Sequence, residues 1–147
     1  MINYKSWLID DLRGLERLRS SINQMESELE TLEAEFAAIQ TTDYDKIPGG
    51  SGENPQEDRL LTAIARKDAL QANLKVTRAR VADLDRLLAA MPDDERRTLE
   101  LMFVTHEKYA AGRLCEELNL EMSSVYRLKD RALQHLAQLR HGAGVTP

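Results

Sequence analysis

Within nine consecutive residues the chain places Ser123, Ser124, Tyr126, Arg127, Lys129 and Arg131. These are side chains that form hydrogen bonds and ion pairs rather than attack a substrate. Arg127 can give two parallel N–H bonds to the edge of a guanine, a contact that separates right from wrong base by roughly 1–3 kcal/mol. Ser123, Ser124 and Tyr126 are the other candidates for base contacts. Lys129, Arg131 and, further back, Arg113 suit phosphates, which add affinity and salt dependence without sequence preference. Between residues 122 and 141, Arg127, Lys129, Arg131 and Arg140 stand against one acid, Asp130. That surplus of positive charge can neutralise phosphates, although charges alone also fit a solvated helix face paired with Glu121 or Asp130.

No set of residues suggests catalysis. Cys115 has no His or Asp at a spacing that would make it a nucleophile, and His106, His135 and His141 lack zinc-ligand spacing with it. The glutamates near the N-terminus recur on a helix face, not as an acid–base pair. Gly49 to Gly52 lack the following lysine of a phosphate-binding loop. The expectation is a protein that is not an enzyme and holds no metal or cofactor.

Three short helices would position the polar residues. Pro92 followed by Asp93, Asp94 and Glu95 marks a helix start whose acidic first turn complements the helix dipole. The first helix is expected over 93–104 with Leu99, Met102 and Phe103 inward, the second over about 109–118, and the third over about 123–139. Leu114, Leu118, Leu120, Val125 and Leu128 fall at the apolar offsets of a helix-turn-helix. Cys115 stands where a small residue lets two helices approach, and Asn119 where the chain turns left-handed. Ser123 is the expected cap of the third helix. The same apolar residues would also suit an ordinary three-helix bundle.

Upstream, Leu8, Leu15, Leu18, Ile22, Met25, Leu29, Leu32, Phe36 and Ile39 form a three-and-four seam broken at Asp11. This is the pattern of a coiled coil. Trp7 is expected to pack near its start. Pro48, Gly49, Gly50 and Gly52 interrupt the helix, and Asn54, Pro55 and Glu57 then supply cap, first helical position and capping-box partner for a second one. Its seam runs through Leu60, Ala63, Lys67, Leu70, Leu74, Thr77, Val81, Leu84, Leu88 and Met91. Two such helices can pair within one chain or between chains.

The run from Met91 to Leu136, MPDDERRTLELMFVTHEKYAAGRLCEELNLEMSSVYRLKDRALQHL, resembles sigma factor region four, with its Leu-Pro-acidic opening, helix-turn-helix and Arg-Ala-Leu ending, here Arg131-Ala132-Leu133. It departs from that pattern at the turn glycine, which is Asn119, and at the usual Ser or Thr cap, which is Glu121. With the coiled coil and the glycine-rich loop, the chain resembles phage-encoded late-gene transcriptional regulators of the ArpU and RinA type. The resemblance implies activation of phage late or packaging genes.

Composition limits the class. Of 147 residues, 42% are hydrophobic, 31% charged and 5% aromatic, which favours long helices over sheet. A single cysteine fits a reducing compartment, and no run of apolar residues is long enough for a bilayer. The net charge of −5 runs against the basic footprint of most nucleic-acid binders. The expected protein is all-α: a long antiparallel coiled-coil helical hairpin over 1–90 with a loop at about 41–54, a three-helix helix-turn-helix module over 91–141, and a flexible tail over 142–147. Its expected partners are double-stranded DNA and a second copy through the coiled coil, with no membrane, in the cytoplasm of a bacterial host. Two alternatives stand beside a sequence-specific regulator. One is an adaptor that binds RNA polymerase with weak DNA affinity of its own; the other is a small terminase-type packaging protein.

Overall fold

The computed structural model describes residues 3–41 and 55–145. It is all-α, with no strand among the described residues. Helix α1 spans Tyr4–Thr41 and α2 spans Pro55–Ala89, so the proline expected at a first helical position occupies it. The proposed cap Asn54, and all of the expected loop except Thr41, lie outside the described residues.

The chain forms two compact units, one of Met1–Arg19 with Arg80–Pro147, the other of Ser20–Ala79. In the second unit, segments of α1 and α2 run antiparallel. Arg78 reaches Glu26 at 2.6 Å and Arg66 reaches Glu28 at 3.2 Å, while Leu32, Ala63 and Leu74 are buried between them. The seam therefore closes within one chain.

The first unit does not respect the boundary expected at residue 90. Leu8, Leu12 and Leu15 at the start of α1 are fully buried, and Leu84, Leu88 and Met91 around the end of α2 are buried too. Asp11 accepts from Arg140 at 2.6 Å, and the Tyr4 ring lies 4.3 Å from that of His141. The hairpin base and the C-terminal helices thus share one core. Leu12 supplies the seam position that seemed broken at Asp11. Trp7, expected to pack near the start of the hairpin, meets the Tyr4 ring edge-on at 5.9 Å there and is 55% exposed. The segment expected as a tail opens with a 3-10 turn over Gly142–Gly144, after which Val145 is buried.

Helix α3, Asp93–Leu99, continues into a π-helical turn, Glu100–Val104. There the Thr105 N–H donates to Glu100 C=O, five residues back, at 2.9 Å. This widened turn carries Leu101 fully inward and leaves Met102 half-buried, where regular helix periodicity had Met102 inside. Helices α4, Ala110–Leu118, and α5, Met122–His141, complete the unit. Leu101, Ala110, Leu114 and Val125 form one buried cluster within it, with Met102, Ala111, Cys115 and Leu118 packed against them. Burying each of the larger aliphatic side chains stabilises the module by roughly 1.5–3 kcal/mol. Leu120, expected among the apolar fillers, is instead 38% exposed, since the chain is turning outward at that point.

Candidate nucleic-acid interface

The turn between α4 and α5 is set by Asn119, whose φ of 54° and ψ of 50° are left-handed. Asparagine tolerates this region because its short polar side chain offsets part of the steric cost. The Leu120 N–H then donates to Cys115 C=O at 3.1 Å and closes the last turn of α4.

Glu121, not Ser123, precedes the first residue of α5. Its backbone is extended at φ −76° and ψ 159°, and its C=O accepts the first helical bond from Val125 N–H at 3.0 Å. The expected cap at Ser123 is corrected accordingly: Ser123 is the second residue of the helix. The Glu121 side chain makes no cap bond, so the N–H groups at the start of α5 receive no side-chain acceptor from it.

This start fixes which side chains face outward. Met122, Ser123, Tyr126, Arg127 and Asp130 are exposed at helical spacing, whereas Ser124 and Lys129 are half-buried. Arg127 folds back on its own helix, with Nε donating to Ser123 C=O at 3.4 Å. It has no acidic partner among the described residues. Lys129 Nζ lies 5.3 Å from the Tyr126 ring centre, a cation–π distance, and 3.8 Å from Asp130.

The two arginines expected on phosphates are already engaged. Arg113 gives one guanidinium nitrogen to both oxygens of Glu107 at 2.6 and 2.7 Å, and its Nε to Glu117 at 3.0 Å. Arg97 of α3 grips the same Glu117 through two bonds, at 2.9 and 3.0 Å. Hydrogen bonds from Arg97 first, then Arg113, hold the Glu117 carboxyl down at about 2, and the bonds that Arg113 donates to Glu107 and Glu117 raise its guanidinium above its ordinary value. Arg131 donates from Nε to Glu95 at 3.1 Å and lies 3.8 Å from Asp94.

Glu95 is the main feature that sequence reasoning missed. It is 2% exposed, and its second oxygen meets His135 Nδ1 at 2.8 Å. At sequence level it read as one more acid complementing a helix dipole, because its partners stand 36 and 40 residues away. Tyr109, 74% exposed before α4 with Lys108 Nζ 5.6 Å from its ring centre, and Met122, 48% exposed, were also passed over. An aromatic beside a lysine at a helix start was the available signal for the first. Among the described residues, no group of three His, Cys, Asp or Glu could hold a metal ion, and no helix is long and apolar enough to cross a membrane.

A family model described as "Protein of unknown function (DUF1492)" matches residues 38–137. No curated protein and no solved structure matches the chain.

Proposed function

This chain belongs to the DUF1492 family of proteins of unknown function, and for it we propose sequence-specific DNA binding in transcription regulation, with α5 read into the major groove. The observation that carries this reading is the unit formed by α4, the left-handed Asn119 and α5. It leaves Ser123, Tyr126 and Arg127 exposed on one face at the start of α5, with Arg127 unclaimed by any described acid. A helix that enters the major groove reads bases with its N-terminal residues. In this reading Arg127 contacts guanine, Ser123 and Tyr126 contact neighbouring bases or phosphates, and Lys129 adds a phosphate contact.

The finer form of the proposal is a phage or prophage regulator of the ArpU and RinA type, acting in the bacterial host cytoplasm as a homodimer through its coiled coil, without catalytic activity. The test is enrichment of sheared source-genome DNA on the full-length protein at about 0.15 M salt, which suppresses much non-specific phosphate binding, in parallel with Arg127→Ala. One or a few enriched sites that the variant loses uphold the reading. No enrichment above control overturns it.

One observation favours a second reading, an adaptor for RNA polymerase that binds DNA weakly by itself. Arg97, Arg113 and Arg131 are held on carboxylates of the same chain, which leaves few cations for phosphates. That reading predicts polymerase capture that survives Arg127→Ala.

A further inference from the structure

We propose that Glu107 and Glu117 are specificity-determining residues that withhold Arg113 and Arg97 from the DNA backbone, so that binding rests on base contacts instead of bulk positive charge. This rests on the DNA-binding reading of α5 and goes beyond it by assigning a role to acids outside the base-reading face. A helix-turn-helix presents its first helix as well as its recognition helix to the duplex, and Arg113 sits on that first helix, α4. A free arginine there would neutralise a phosphate and strengthen binding to every sequence equally.

The geometry denies it that freedom. Three carboxylate oxygens lie within 3.0 Å of the Arg113 guanidinium: both of Glu107, and one of Glu117. Glu117 simultaneously takes the fork of Arg97 through two bonds, and Arg97 stands 4.0 Å from Glu100. Two arginines are thus bridged by one carboxylate and flanked by two more. A phosphate arriving at either arginine must displace a charge-assisted bond already in place and meets like charge from the displaced carboxylate. The same bonds from Arg97 and Arg113 hold the Glu117 carboxyl at about 2, so it keeps its charge at the pH of a binding measurement. Suppressing non-sequence-specific affinity widens the ratio between target and background, the quantity that matters against the many competing sites of a genome. It also accounts for a duplex-binding module that lacks a basic surplus outside α5.

The network is at the surface, with side chains of Glu107, Glu117, Arg97 and Arg113 between about a third and a half exposed. Removing its charges therefore leaves the buried core of the module in place, a point that circular dichroism and thermal melting check. The experiment uses the full-length chain and a short duplex of random sequence, with affinity followed from about 50 to 200 mM salt for wild type, Glu107→Gln with Glu117→Gln, and that double variant with Arg113→Ala and Arg97→Ala added. The double variant is expected to bind the random duplex more tightly, with a salt slope steeper by about 0.9 for each arginine released. Over that salt range this amounts to an added loss on the order of 3-fold to 4-fold per arginine. The two alanines are expected to return the slope to that of wild type.

A slope that does not change on removing the glutamates overturns the proposal, as does a steeper slope that survives loss of both arginines, since that would reflect general repulsion by acids. A double variant that binds no duplex overturns it as well. The two failures are told apart by pairing these slopes with the genomic enrichment. Enriched sites with an unchanged slope overturn this proposal alone. A wild type that enriches no site overturns the regulator reading and this one with it, because a specificity role needs a target to discriminate.

Discussion

His135 and Glu95 are joined at 2.8 Å through Nδ1 and Oε2, one helical turn along α5 from Arg131, whose Nε takes the other carboxylate oxygen at 3.1 Å. The pairing is lopsided in burial. The Glu95 side chain is 3% exposed, and those of Arg131 and His135 are 58% and 46% exposed. Only one end of the interaction is thus cut off from water.

That lopsidedness orders the cost of breaking it. Glu95→Ala frees two groups that regain water, and the expected loss is about 1–2 kcal/mol, the scale of hydrogen bonds given up. Arg131→Ala with His135→Ala strands a carboxylate in the core, for which about 3–5 kcal/mol is expected. Chemical denaturation of the three proteins measures both. If Glu95→Ala proves the more damaging, the clamp is not organised around a buried charge.

Asn119 gives a prediction of opposite sign for two small substitutions. At φ 54° a glycine is free of the Cβ clash, so Asn119→Gly is expected to be neutral or stabilising within about 1 kcal/mol. Asn119→Val places a β-branched side chain in the left-handed region and is expected to cost about 1–3 kcal/mol. Thermal melting separates the two, and equal effects would mean that the turn relaxes out of this conformation.

What could be read from the residues beforehand was whatever depends on neighbours along the chain. Pro55 opened α2, the three-and-four spacing of both seams placed buried positions from Leu8 to Met91, and Asn119 marked the left-handed turn. Apart from the two-residue shift of the α5 start from Ser123 to Glu121, the main failures involve geometry made by distant residues or a local break of pattern. Asp11 hid Leu12 because a charge stood where a seam leucine was sought. The sequence ELMFV carries no sign that its turn is π-helical, so Met102 and Leu101 exchanged places. Arg113 read as free for phosphate with no acid set against it, but the fold gathers Glu107, Glu117 and Arg97 around it.

Core and surface apolar residues should part clearly under truncation. Leu114 is fully buried within the helix-turn-helix core, and Leu114→Ala is expected to cost about 2–5 kcal/mol through lost transfer energy and a residual cavity. Val76 is 64% exposed on α2, and Val76→Ala is expected to stay within about 0.5 kcal/mol. Denaturant midpoints of the full-length variants make the comparison. A large loss at Val76 would show that this face of α2 is covered in solution, and would favour a coiled-coil contact with a second copy.

The last prediction concerns acid. The Glu117 carboxyl falls from an ordinary value of 4.5 to about 2 in the folded chain, mainly through its hydrogen bond from Arg97 and then that from Arg113. Because the folded value is the lower one, the unfolded chain binds the proton first as pH falls. The stabilisation that Glu117 provides is therefore complete above about pH 5 and declines between 4.5 and about 2. Comparing melting temperatures of wild type and Glu117→Gln across that range should give a difference that is constant near neutrality and shrinks only in acid. Carboxyl NMR should likewise find Glu117 still ionised at pH 3.5, where an unpaired glutamate is mostly protonated. If Glu117 instead titrates near 4.5, the bridge to Arg97 and Arg113 does not form in solution, and Glu107 alone is left to hold Arg113.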